Sequence, residues 1–131
     1  MNRTKLAWIS LLPLSLLAAC STGRSVDVTG QVSATAAITD PISLEFFEQQ
    51  KGVTDAERVS IKQVELAATG AFTEKLDVNE DVLIAHALVD SDGDGKCTAG
   101  ELWGEVKQEA KADGTFDAFA IALTADPCPA Q

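Results

Sequence analysis

Short runs in which apolar and polar residues alternate with a period of two constrain this chain more than any other feature. Alternation of that kind places every second side chain on one face of a strand, so each run asks for a core on one side only. Val26, Val28 and Val32 share one parity against Asp27, Thr29 and Ser33, with Thr29-Gly30 reading as a bulge or bend. After Asp40-Pro41, residues Ile42, Leu44 and Phe46 alternate with Ser43, Glu45 and Phe47. Phe72, Leu76 and Val78 stand opposite Thr73, Lys75 and Asp77, and Phe119, Ile121 and Leu123 stand opposite Ala118, Ala120 and Ala122. The run VLIAHALV at 82–89 is apolar on both parities, as a strand covered on both faces would be. Residues 102–107 form a weaker strand candidate. In 57–67 the apolar set changes parity between Val59/Ile61 and Val64/Leu66, which requires either a bulge or a helix, and Thr54 with Glu57 has the spacing of a helix capping box. About seven strands separated by turn signals every 8–12 residues predict a mainly β, single-domain sandwich.

The N-terminus follows a different rule. Arg3 and Lys5 precede an apolar stretch at 6–18, the layout of a secretory signal. The stretch contains Pro13 and is shorter than the ~20 apolar residues a membrane-spanning helix needs. Leu17, Ala18, Ala19 and Cys20 resemble the lipobox of bacterial lipoproteins. That resemblance implies cleavage before Cys20, a diacylglyceryl thioether on Cys20 and anchoring in a membrane, since two or more acyl chains hold a protein stably. It divides the chain into a leader at 1–19, a lipidated tether at 20–25 and a globular domain at 26–131. Ser21 after the cysteine resembles the outer-membrane sorting pattern, with the domain facing the periplasm or the cell surface. Loss of the leader removes Arg3 and Lys5 and no acids, so the formal charge moves from −10 to −12. Such a surface repels phosphate backbones, which argues against nucleic acid as a partner.

The run DSDGDGKCTAGE at 90–101 carries the chemistry. It resembles the EF-hand calcium loop. In that resemblance Asp90, Asp92 and Asp94 supply carboxylates, Lys96 its carbonyl, Thr98 a direct or water-mediated contact, and Glu101 both carboxylate oxygens. Ca²⁺ is a hard cation that takes six to eight oxygens, and Gly95 stands where the loop must turn sharply. Mg²⁺ fits less well because it demands tighter octahedral geometry. Cys97 departs from the family pattern, occupying a position that is usually aliphatic, and no second loop is present to pair with. Asp77, Asn79 and Asp81 have the initial spacing but lack the glycine and the closing acid. A helical EF-hand is the alternative fold, with 81–89 and 100–111 as its two helices; Gly104 disfavours the second. In architecture the β reading resembles the small transthyretin-like and carboxypeptidase-regulatory-like sandwiches, from VDVTGQV through GAF to the acidic loop.

With Cys20 assigned to lipid, Cys97 and Cys128 remain as an even pair in an oxidising compartment, which favours a disulfide. His86, the one histidine, lies in an apolar run and reads as a covered side chain. Trp103 and the Phe46-Phe47 pair read as core anchors, Asp113-Gly114 as a turn, and Glu45 with Glu48 as a solvated face. Together these features favour a non-enzymatic, lipid-anchored Ca²⁺-binding domain that meets a protein or polysaccharide partner. The alternatives are a helical lipoprotein that buffers or senses Ca²⁺ and an envelope enzyme with no recognisable motif.

Overall fold

The computed structural model describes residues 23–53 and 57–129. The leader, Cys20 and Thr54 lie outside them. Seven strands form: β1 (Arg24–Ala34), β2 (Ile42–Gln49), β3 (Val59–Leu66), β4 (Gly70–Val78), β5 (Val82–Val89), β6 (Leu102–Glu109) and β7 (Phe119–Leu123). No helix occurs among the described residues. The fold is a small β-sandwich, with one sheet ordered β4-β1-β7 and the other β3-β2-β5-β6. Both segments that a helical EF-hand would need are strands, β5 and β6, paired antiparallel from Val82↔Glu109 to Val89↔Leu102.

Parity decides what lies between the sheets. Val26, Val28 and Val32 of β1 meet Leu44 and Phe46 of β2 and Ala85 and Ala87 of β5 in one buried cluster. Phe46 is fully buried, with Phe72 edge-on at 6.0 Å and Phe119 at 6.3 Å between ring centroids. Edge-to-face aromatic pairs contribute about 0.5–1.5 kcal/mol beyond the area they bury. β5 is buried along both faces because it is internal to its sheet and its outer side chains are overlaid by neighbours.

The parity change in β3 is a bulge. Phe46 pairs with Lys62 while the adjacent Phe47 pairs with Ser60, so Ile61 is the extra residue. The insertion turns Ile61 to the same side as Val64 and Leu66, and all three pack on the core. In β1 the ladder to β4 runs from Arg24 to Val32 without a register shift, so the bulge expected at Thr29-Gly30 does not form. Gly30 is needed for a different reason: a Cβ there would meet the Phe72 ring at 2.3 Å. Gly104 in β6 likewise admits β7, since its Cβ would meet the Ala122 carbonyl oxygen at 2.3 Å. The sheets are stitched on that side by mutual backbone hydrogen bonds of Trp103 and Thr124, both 2.9 Å.

The strand directions give the sandwich two distinct ends. β1 begins beside the end of β4, with Arg24 opposite Val78. Its side chain is fixed there by the Glu80 and Gly114 carbonyls, an ion pair to Asp81 at 3.1 Å and the Phe116 ring. Ser25 pairs with Asp77, so the strand takes in the last residues read as tether. The β2–β3 hairpin reaches this same near end, because Gln49 pairs with Val82. Loop 90–101 joins β5 to β6 at the opposite, far end.

Candidate metal centre

Two strand ends hold the acidic loop. β5 delivers Asp90 directly after buried Val89, and Glu101 directly precedes β6. Between them the chain turns back on itself through Gly93, Gly95 and Gly100, all with positive φ. At φ near +75°, Gly93 and Gly95 occupy a region that costs other residues energy.

The carboxylates organise the loop by accepting its backbone N–H groups. Asp90 Oδ1 accepts from Gly93 and Asp94 at 2.8 and 3.2 Å, and its Oδ2 accepts from Gly95 at 2.8 Å. Asp92 Oδ1 accepts from Asp94 at 3.1 Å, and Asp94 Oδ1 accepts from Lys96 at 2.8 Å. Glu101 is buried, with Oε1 accepting from Ser91 and Asp92 and Oε2 from Thr98. The Thr98 hydroxyl donates to Asp92 Oδ2 at 3.2 Å. Ligand oxygens of Asp90, Asp92 and Asp94 lie within 4.8 Å of one another, a group that could hold a metal ion. Glu101 stands outside that group, and the contact made by Lys96 is through its N–H.

Charge in the loop is unevenly relieved. The Gly95 N–H, then those of Gly93 and Asp94, hold the Asp90 carboxyl below its ordinary value. The Thr98 N–H, followed by those of Ser91 and Asp92, does the same for Glu101. Asp92 moves the other way. The Asp94 N–H favours its charge, but burial together with the charges of Asp94 and Glu101 outweighs that bond and raises its pKa. An added cation would relieve this repulsion.

Cys97 and Cys128 are disulfide-bonded, with Cα atoms 5.6 Å apart. The bond clamps the loop to the C-terminal segment, which Trp103 also holds by donating its indole N–H to the Asp126 carbonyl at 2.9 Å. No family model, no curated protein and no solved structure matches this chain. What the site can do therefore follows from its own geometry.

Several side chains stand where the sequence reading did not place them. Trp103 and Phe47 are not core anchors; both lie on the outer face of the four-stranded sheet, opposite in parity to buried Phe46. Trp103 stacks on His86 at 5.8 Å, and Arg58 covers the Phe47 ring at 4.5 Å. Glu48 is not solvated. It is buried, and its carboxylate accepts from the Asn79 and Glu80 N–H groups and the Asn79 amide, closing the β4–β5 turn. Glu45 faces the other way and accepts the Ser60 hydroxyl.

The outer face also carries an open groove of about 950 Å³, reaching the acidic loop and lined in part by Ser43, Glu45, Phe47, Gln63 and His86. Beside it, Glu105 Oε2 accepts from Arg58 at 2.7 Å and lies 3.0 Å from His86 Nδ1. The His86 contact, then Arg58, lowers the Glu105 pKa. A carboxyl with its folded pKa below the unfolded value stabilises the fold above the unfolded pKa, and that stabilisation fades as pH falls through the folded pKa. Glu105→Gln should therefore cost about 1 kcal/mol at pH 7, as for a solvent-screened ion pair. Urea unfolding should show the gap between variant and parent closing as the pH drops below the ordinary glutamate range; an equal gap throughout would contradict the assignment.

Proposed function

We propose that this chain is a lipid-anchored, extracytoplasmic Ca²⁺-binding domain, a non-enzymatic structural or interaction module of the cell envelope. The observation that carries the metal reading is the convergence of Asp90, Asp92 and Asp94 in a loop whose own backbone orients the carboxylates. An all-oxygen set favours a hard cation, and a loop with a carbonyl, a hydroxyl and Glu101 nearby suits the larger, less demanding Ca²⁺ over Mg²⁺. Lys96 and Thr98 would complete the shell with Glu101. The anchor reading rests on Leu17, Ala18, Ala19 and Cys20 at the end of an apolar leader. The Cys97–Cys128 bond suits an oxidising compartment, such as the periplasm or cell surface.

A binding role fits the groove beside the loop, whose lining mixes polar groups with apolar ones such as Phe47 and Leu88 and which would meet a protein or polysaccharide. His86, the one histidine, is engaged by Glu105 and stacked on Trp103, an arrangement that fixes the ring as part of a surface.

Melting the mature domain with and without Ca²⁺ tests the metal reading. If the dissociation constant lies at ~10⁻⁴–10⁻³ M, as in extracellular modules, 10 mM Ca²⁺ should stabilise the domain by about 1.4–2.7 kcal/mol. That corresponds to a rise of several degrees, whereas an unchanged midpoint would remove Ca²⁺ from the proposal. Mature protein that begins at Cys20 but carries no acyl mass on that residue in mass spectrometry would remove the lipid anchor.

A further inference from the structure

We propose that the near end of the sandwich is a bilayer-contact surface, which holds the acidic loop at the opposite pole, away from the membrane. This rests on the reading of Cys20 as the lipidated residue. Two residues, Ser21 and Thr22, separate Cys20 from Gly23, and a chain can span no more than about 3.6 Å per step, so over these three steps the acyl chains enter the membrane within about 11 Å of the domain. That short segment keeps the start of β1 close to the headgroups. Gly23 adjoins the Asn79 side chain, and Arg24 is fixed by Gly114, Glu80, Asp81 and Phe116. The end of the sandwich that meets the headgroups is therefore set by where β1 begins.

That end carries the two large apolar side chains most exposed among the described residues, Val53 and Val59, at 44% and 57%. Both belong to the β2–β3 hairpin region, and Val59 pairs with Glu48 one position from the near end of β2. Lys51 and Lys111 share this end, paired with Glu109 and Asp117. Glu80, Asp81 and Asp113 share this end, so it carries charges of both signs as well as the two exposed valines, a composition suited to zwitterionic headgroups. Valines of this kind gain by leaving water for the interfacial layer, while Lys stems keep their ammonium groups in the polar zone. The far end is different: Asp90, Asp92 and Asp94 are concentrated there. β1 spans 11 residues at about 3.3 Å each, so loop 90–101 sits roughly 35 Å from the tether. Its metal site and the adjoining end of the groove then face a soluble or opposing partner rather than the anchoring bilayer.

The test uses the lipidated mature chain in phosphatidylcholine–phosphatidylethanolamine vesicles that carry headgroup nitroxide lipids. With Cys20 acylated and Cys97 bonded to Cys128, a single added cysteine is the one thiol open to a fluorophore. Val59→Cys places the label at the near end, and Ala68→Cys places it in the exposed β3–β4 turn at the far end. The Val59→Cys label should lose most of its emission to the nitroxide, and the Ala68→Cys label almost none. Equal or reversed quenching, on protein whose Cys20 carries lipid by mass spectrometry, would overturn the orientation and leave the anchor intact. Protein exported without lipid on Cys20 would overturn both.

Discussion

Removing the Cys97–Cys128 bond by the double change Cys97→Ser/Cys128→Ser should destabilise the domain by about 3.5 kcal/mol, the chain-entropy value for a loop of this size. The bridge spans 31 residues, and that loop contains the last part of the acidic segment, from Cys97 to Glu101, with all of β6 and all of β7. Without it the unfolded chain gains freedom, while the native C-terminal segment keeps the Trp103 contacts to Thr124 and Asp126. Cys97 also sits inside the acidic loop, so its release should loosen the aspartate cluster and weaken Ca²⁺ binding in the same variant. Urea unfolding in metal-free buffer reads the first effect and a Ca²⁺ titration the second. A double-serine variant with an unchanged urea midpoint would show that the bond contributes little to the fold.

Asp92→Asn should act in opposite directions on the empty and the metal-loaded protein. Asp92 has a raised pKa, because burial and the charges of Asp94 and Glu101 oppose its ionisation. Neutralising it removes that repulsion, while asparagine can still accept the Asp94 N–H that Asp92 Oδ1 accepts now. The metal-free variant should therefore melt at the parent temperature or above it. If the site takes Ca²⁺ as proposed, its affinity should fall by on the order of a hundredfold, because affinity at such sites follows ligand charge and number. Differential scanning calorimetry across a Ca²⁺ series would show both effects. A variant that melted lower without metal would contradict the assigned repulsion, and one that kept the parental Ca²⁺ response would remove Asp92 from the ligand set.

The strands were legible because their side chains alternate, and alternation is a local property. Val26, Val28 and Val32, or Phe119, Ile121 and Leu123, declare a covered face without reference to any partner. The segment at 59–66 resisted that reading because its parity changes at Ile61. Pairing with β2 settles the matter, since a bulge exists only relative to the strand opposite it. Glu48 is the inverse case. It follows Phe46 on the buried parity, yet acidic residues are rarely covered, so its sequence environment suggested solvent. The Asn79 and Glu80 N–H groups, 31 and 32 residues away, are what make its burial tolerable.

The acidic loop was equally plain, since the spacing of Asp90, Asp92, Asp94 and Glu101 is contained within twelve residues. Alternation, leader pattern and loop spacing are short-range signals, and they determined the β class, the proposed lipid address and the candidate metal ligands. Tertiary structure decided the rest. It moved Trp103 and Phe47 out of the core, because parity within a strand names two faces but not which one is buried when both carry apolar residues. It joined His86 to Glu105 through the β5–β6 register, and it set the acidic loop at the end of the sandwich opposite Arg24. Those relations depend on which strands pair and in which direction, and pairing is settled by long-range packing that no local pattern records.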